Sequence, residues 1–68
     1  MIPDNKRVID ILKDLDDIAV VSFIGPDIGH AYIGKEDIDN IPLDLLERKV
    51  EECLIVKKVG GFYVELEV

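Results

Sequence analysis

The sequence predicts an α+β fold, with four strands in one antiparallel sheet and two helices packed on one of its faces. Helical and strand-like apolar patterns alternate in the order αββαββ along the 68 residues. Glycine-containing turns separate the strand segments into two hairpins. Each helix and each hairpin has one apolar side to bury, so the simplest arrangement places both helices on the same face of the sheet.

The first helix is predicted over residues 4–17. Val8, Ile11, Leu12 and Leu15 recur at spacings of three and four, which places them on one helix face. Asp4 or Asn5 is expected to cap the helix, because either side chain can accept a free backbone N–H of the first turn.

The first hairpin is predicted to consist of strands 18–24 and 30–33. The first strand is rich in β-branched and aromatic residues, and residues 25–29 have the glycine and proline content of a turn. A five-residue loop pairs Phe23 with Ala31 and Val21 with Ile33, which places apolar groups on one face.

The second half of the chain is predicted to repeat this plan after a polar connector at 34–40. Pro42 suits the first turn of a helix, and the apolar pattern continues at helical spacing to Cys53. A hairpin follows around Gly60 and Gly61, and a three-residue loop makes Lys57 face Glu65. The chain is expected to be a single compact domain, 1–68, and an internal repeat of 4–34 and 39–68 is an alternative interpretation.

Composition narrows the function classes. The chain has 15 acidic and 8 basic residues and a net charge of −7, which argues against direct binding of nucleic acid or of an anionic membrane. Cys53 is the single cysteine, so an intramolecular disulfide is excluded. Neither a signal peptide nor a long apolar segment is recognisable, and a cytoplasmic location is expected.

The most informative polar residues are five acids at the predicted C-terminal ends of the two helices: Asp14, Asp16, Asp17, Glu51 and Glu52. Acidic side chains are unfavourable there, because that end of a helix carries the negative pole of its dipole. Three interpretations compete: a solvated surface, a docking surface for a basic protein partner, or a weak Ca²⁺ or Mg²⁺ site formed by the same five carboxylates.

A calcium-binding EF-hand is excluded despite the Asp37-x-Asp39 sequence. Pro42 occupies the sixth position of that loop, where glycine is required, and Arg48 occupies the twelfth, where a glutamate belongs.

No catalytic residues are predicted. His30 is the only histidine and Ser22 the only serine, and Ser22 falls inside a predicted strand, so a catalytic triad cannot be assembled. Cys53 follows two glutamates and is interpreted as a small buried apolar side chain. We therefore expect a protein that is not an enzyme and uses no cofactor.

The predicted function is that of a small acidic interaction or regulatory module, and divalent-cation binding is the alternative. A basic protein is the expected partner. A homodimer through the uncovered face of the sheet is a further expectation, since an apolar face without a covering layer is a contact surface.

Overall fold

The computed structural model describes residues 6–68 and contains three short helices and four strands. The helices are α1 (Val8–Leu12), α2 (Lys35–Asp39) and α3 (Leu43–Leu46), and the strands are β1 (Ile18–Gly25), β2 (Ile28–Ile33), β3 (Glu52–Lys58) and β4 (Gly61–Glu67). All four strands form one sheet in the order β2-β1-β4-β3. The α+β class is confirmed. The purely antiparallel sheet is wrong, because β1 and β4 lie side by side and parallel.

Helix α1 is much shorter than the predicted 4–17. Its first turn is stabilised by the Arg7 backbone N–H, which donates to Oδ2 of Asp10 at 3.1 Å. The helix ends at Leu12, before the acidic residues that would be unfavourable at its negative pole. The caps predicted at Asp4 and Asn5 lie outside the described residues.

Helix α3 also ends early, because the chain after it pairs with the segment before α1. The Val8 N–H donates to the Arg48 carbonyl at 3.0 Å, and the Val50 N–H donates to the Lys6 carbonyl at 3.0 Å. Lys49 lies between these bonds and forms an antiparallel bridge with Arg7, so the helix predicted to run to Cys53 stops at Leu46.

Helix α2 lies where a polar connector was predicted. Gly34 precedes it with a φ of 87°, and the Asn40 side-chain amide donates to the Glu36 carbonyl at 2.8 Å. The helix has little apolar periodicity, since Ile38 is its only large apolar residue, and its pattern therefore resembles that of a loop.

The first hairpin has a two-residue turn, Pro26-Asp27, in place of the predicted five-residue loop. Phe23 consequently faces His30 in the register between β1 and β2. Both carboxylate oxygens of Asp27 accept hydrogen bonds from the guanidinium of Arg48, which lies 21 positions further along the chain. This hydrogen bonding lowers the pKa of Asp27 and ties the turn to the segment after α3.

The second hairpin has a two-residue turn at Val59-Gly60, in place of the predicted three-residue loop. Lys57 therefore faces Phe62, and Leu54 faces Glu65. The observed register is shifted from the predicted one by an odd number of residues. Each β3 side chain therefore lies beside β4 side chains that were expected on the opposite face of the sheet.

The core lies along the central pair of strands. Val21 and Phe23 of β1 and Val64 and Leu66 of β4 are fully buried. They form one cluster with Val8, Ile11 and Leu12 of α1, Ile41, Leu45 of α3 and Val50. The packing of all helices on a single face stays a prediction, as do the single domain and the internal repeat. Within residues 6–68, each helix falls short of the length and apolarity needed to cross a membrane.

A close backbone contact joins the loop before β1 to the start of β4. The Phe62 N–H donates to the Asp17 carbonyl at 2.8 Å. Asp17 has a φ of 56° and Gly61 a φ of 125°. A Cβ atom at Gly61 would lie 2.2 Å from the Asp17 carbonyl oxygen, so only glycine fits there.

We expect Gly61→Ala to lower the free energy of unfolding by about 2 kcal/mol or more, since it adds both a positive-φ penalty and a backbone clash. Gly60→Ala is the matched control, because a Cβ at Gly60 has no neighbour within 4 Å; we expect it to change stability by less than about 0.5 kcal/mol. Urea denaturation of both variants measures the difference. Equal stability of the two variants would contradict this account of the contact.

Candidate functional site

The described chain has an open concavity of about 1200 Å³. It lies between the α1–β1 loop (13–17), helix α2 and the β3–β4 hairpin. Its apolar lining includes Leu12, Leu15, Ile18, Ile38, Leu46 and Phe62. An apolar hollow with a few polar groups at its edge is the usual form of a binding site.

The core holds the floor of the concavity in place. Leu12 is buried at the end of α1, while Leu15, Ile38 and Phe62 are half-buried and pack against the core cluster. The rim is more exposed: Ile9 is 41% exposed and Val59, in the β3–β4 turn, is fully exposed. Apolar groups therefore extend from the core to the solvent along this surface.

One side of the rim is formed by the acidic residues Asp16 and Asp17. Both are exposed, and neither forms an ion pair within the described part of the chain. The positive φ of Asp17 turns the chain here, and the hydrogen bond to Phe62 keeps the loop against β4. Asp is among the few non-glycine residues that tolerate this backbone conformation.

Lysines form the other side of the rim, and each of them lies near an aromatic ring or a carboxylate of the same chain. Lys57 Nζ lies 6.0 Å from the centre of the Phe62 ring, and Lys58 Nζ lies 5.0 Å from that of Tyr63. These are cation–π distances. On α2, Lys35 forms an ion pair with Asp39 at 3.7 Å. Asp16 and Asp17 are thus the acids of the concavity that have no ion-pair partner in the described residues.

The structure separates the five acids of the predicted site. Asp17 lies beside Phe62 at the start of β4, whereas the Glu51 N–H donates to the Glu67 carbonyl at the end of β4. Phe62 and Glu67 are five residue steps apart along β4, which is about 17 Å. Asp16 belongs to the first end and Glu52, the first residue of β3, to the second.

Asp14 is the one acid of the predicted site that has an ion-pair partner of its own within the described residues. It lies in the α1–β1 loop, and its carboxylate is 3.7 Å from Lys6 Nζ. The five acids therefore do not share one surface. Within residues 6–68, no group of three or more His, Cys, Asp or Glu side chains is placed to hold a metal ion.

His30 lies exposed in β2 with its ring 4.6 Å from that of Tyr32. Asp27, the nearest acid in the sequence, is bound to Arg48, so it does not orient the imidazole.

Cys53 lies in β3 rather than at the end of a helix. It is half-buried against the core, and this burial raises the pKa of its thiol above the usual range. Three acids line the same small hollow as Cys53: Glu52, Glu65 and Glu67. The thiol lies outside the concavity.

The sequence did not indicate which residues line the concavity, because they come from three separate segments of the chain. Leu15 and Phe62 have the pattern of ordinary core residues. Val59 was the one available signal, since an apolar residue next to two glycines in a turn has no place in the core of a hairpin.

Comparison with curated proteins finds similarity to the peptide methionine sulfoxide reductase MsrA of Clostridium tetani (strain Massachusetts / E88). The two are 33% identical over an alignment 72 positions long, which covers 91% of this chain and 44% of the relative. This chain thus spans less than half of the relative's length. No protein-family model matches the chain, and no solved structure is significantly similar to it.

This similarity contradicts the expectation that the chain is not an enzyme, because the relative is named as a reductase. That expectation rested on two observations: the absence of a recognisable catalytic triad, which bears on hydrolytic chemistry, and the two glutamates before Cys53, which do not favour a reactive thiol.

Proposed function

We propose that this chain is a polypeptide-binding module and that the concavity is its binding site. The observation that carries the proposal is the apolar floor, open to solvent, beside the unpaired carboxylates of Asp16 and Asp17. The expected ligand is a segment of a partner protein with an apolar side chain next to a lysine or arginine.

The apolar floor supplies the main attraction. Burial of one leucine-sized side chain contributes about 2 kcal/mol, and the concavity is wide enough for more than one. Leu12, Leu15 and Phe62 belong to the cluster around the core, so the floor is held in position before a ligand arrives. Such preorganisation lowers the entropic cost of binding.

The negative charge of the chain favours a positively charged ligand. The chain carries a net charge of −7, and Asp16 and Asp17 direct part of it to the rim. A basic side chain placed there gains attraction without displacing an existing partner, and the long-range field increases its rate of association. Lys57 and Lys58 are held over aromatic rings on the opposite side and leave the acidic side free for this contact.

A polypeptide is favoured over a small molecule for two reasons. The concavity is open to solvent, and the relative from Clostridium tetani is named as a peptide methionine sulfoxide reductase. A regulatory or docking role and an enzymatic role both require such a polypeptide site, so the proposal is compatible with either.

We expect short fluorescent peptides containing leucine and lysine to bind, and peptides containing leucine and glutamate or serine and lysine to bind much more weakly. Both the apolar and the basic component are needed, because the floor and the rim act together. Fluorescence anisotropy gives the affinities, and amide NMR shifts are expected at residues 12–18 and 57–62. Equal binding of the serine–lysine peptide would contradict the role of the floor.

The role of the rim is tested by the double variant Asp16→Asn/Asp17→Asn, since asparagine also tolerates a positive φ at position 17. We expect it to weaken leucine–lysine binding about fivefold at low salt. Glu51→Gln/Glu67→Gln is the matched control, because it removes the same charge at the other end of β4. An equal loss in both double variants would mean that only net charge matters.

Reduction of methionine sulfoxide is a second candidate, and the similarity to MsrA is the observation that favours it. Reduction of a sulfoxide to a thioether needs two electrons, which a thiol supplies when it is oxidised. Cys53 is the only thiol of the chain. In such a step the sulfoxide oxygen moves to Cys53 Sγ, which leaves methionine and a cysteine sulfenic acid. An external dithiol then reduces the sulfenic acid and releases water.

If this second candidate is correct, the purified chain reduces a peptide containing methionine sulfoxide when dithiothreitol is the electron donor, and Cys53→Ser abolishes turnover. Mass spectrometry of the peptide measures the loss of one oxygen. The variant must unfold at the same urea concentration as the wild type for the comparison to hold. Absence of turnover in the wild type, or full activity of the variant, contradicts the candidate.

The reactivity of Cys53 also has a predicted pH dependence. Burial raises the pKa of the thiol, so the native state holds its proton more strongly than the unfolded state. The stability from this burial is present below the unfolded pKa, about 8.5, and is lost as the pH rises through the native pKa. We therefore expect iodoacetamide to alkylate the native thiol more slowly than the urea-unfolded thiol near about pH 8. Equal alkylation rates for the native and the unfolded thiol would contradict this effect of burial.

A further inference from the structure

Strand β3 is an edge strand of unusual exposure. It is the outermost strand of the sheet and pairs only with β4 in the described structure. Leu54 and Val56 on one face are 54% and 37% exposed, and Ile55 on the other face is 42% exposed. Its outer edge therefore presents unpaired backbone groups between apolar side chains on both faces, which is the arrangement that accepts another strand.

The middle of β3 lacks the features that usually prevent an edge strand from pairing with another chain. Its register with β4 has no bulge, and Glu52–Lys58 contains no proline. The other edge strand, β2, differs because it contains Gly29 and because its turn is bound by Arg48. The charges of β3 lie only at its ends, with Glu52 at one and Lys57 and Lys58 at the other.

These end charges make the strand complementary to a second copy of itself. In an antiparallel pair centred on Ile55, Ile55 faces Ile55 of the second copy, and Leu54 faces Val56. Glu52 then faces Lys58, and the two-fold axis repeats this ion pair. Centring on Leu54 places Glu52 against Val56, and centring on Val56 places Lys58 against Leu54. Of these three registers, only the one centred on Ile55 pairs Glu52 with a lysine, although the Leu54 register places Lys57 against Glu51, just before the strand.

The ion pair would also relieve an unfavourable contact within one chain. Glu52 faces Glu67 across β3 and β4, and like charges directly opposite one another are destabilising. Neither Glu52 nor Lys58 forms an ion pair within residues 6–68. A second copy provides the opposite charge for both residues at once.

We propose that two copies of this chain pair antiparallel along β3, centred on Ile55, and join their sheets into one of eight strands. The contact uses the outer edge of β3, and it shares only the lysine end of that strand with the rim of the concavity, so it does not depend on peptide binding there. The two-fold axis is perpendicular to the sheet, since residues that face each other in an antiparallel pair point to the same side.

Sedimentation equilibrium of the wild type over a wide concentration range is expected to show a monomer–dimer equilibrium. Glu52→Lys places lysine against Lys58 of the second copy, and Lys58→Glu places glutamate against Glu52. We expect each single variant to weaken the dimer about tenfold, because the axis doubles each repulsion. The double variant Glu52→Lys/Lys58→Glu exchanges the charges and restores the dimer.

Disulfide trapping tests the register without relying on charge. Directly opposite residues of an antiparallel pair are about 4.5–5.5 Å apart, which a disulfide spans. In a Cys53→Ser background, Ile55→Cys is expected to form a cross-linked dimer on mild oxidation. Val59→Cys is the control, since it is fully exposed but about 26 Å from its counterpart in this register.

Three outcomes would overturn the proposal. The wild type would remain monomeric at the highest concentration, the double charge exchange would not restore a dimer that the single variants weaken, or Val59→Cys would cross-link as fast as Ile55→Cys. A dimer that is insensitive to both charge variants would indicate association through the face of the sheet instead. Urea denaturation of each variant verifies that the chain is folded, so a loss of dimer is not confused with unfolding.

Discussion

The parallel pairing of β1 with β4 is the constraint on which the rest of this structure depends. Val21 is the register partner of Val64, and Phe23 that of Leu66, so the four fully buried strand residues lie beside one another in two rows. A chain of this size buries a smaller fraction of its unfolded surface than a larger domain does, and these rows are the centre of what it buries. Everything else is attached to the pair: β2 and β3 flank it as edge strands, and α1 and α3 contribute side chains to the same cluster.

The direction of this pairing decides where the candidate site is found. Parallel strands begin at the same edge of a sheet, so the loop that enters β1 and the hairpin that enters β4 are neighbours. The hydrogen bond from Phe62 to Asp17 and the close approach of Gly61 are consequences of that neighbourhood. An antiparallel pair would have placed the two at opposite edges and left no concavity between them. The same direction separates Asp17 from Glu51, which lies where β4 ends.

The local sequence patterns predicted the features that depend on neighbouring residues. They did not predict strand pairing or helix ends, which depend on residues far apart in the sequence. The strands and the α+β class follow from alternation and β-branched residues, but no periodicity states which strand will pair with which. The first helix was predicted too long because Leu15 continues the apolar spacing of α1, although that residue packs from a loop. The second ended early because Arg48 and Val50 bond to residues 6–8. The candidate site was only partly anticipated: Asp16 and Asp17 were identified by their charge, but their apolar neighbours were not.

Both proposed contact surfaces have one physical origin, which is a chain with more apolar residues than its small core can cover. Apolar residues are 49% of the sequence, yet Val59, Ile33 and Leu54 remain largely exposed. A net charge of −7 opposes their indiscriminate association, because two copies repel each other at a distance. Contact is therefore selective: it forms where a basic group meets the aspartates of the concavity, or where Glu52 meets Lys58. In this chain the apolar surface supplies the attraction, and the placement of a few charges decides which partner and which register can use it.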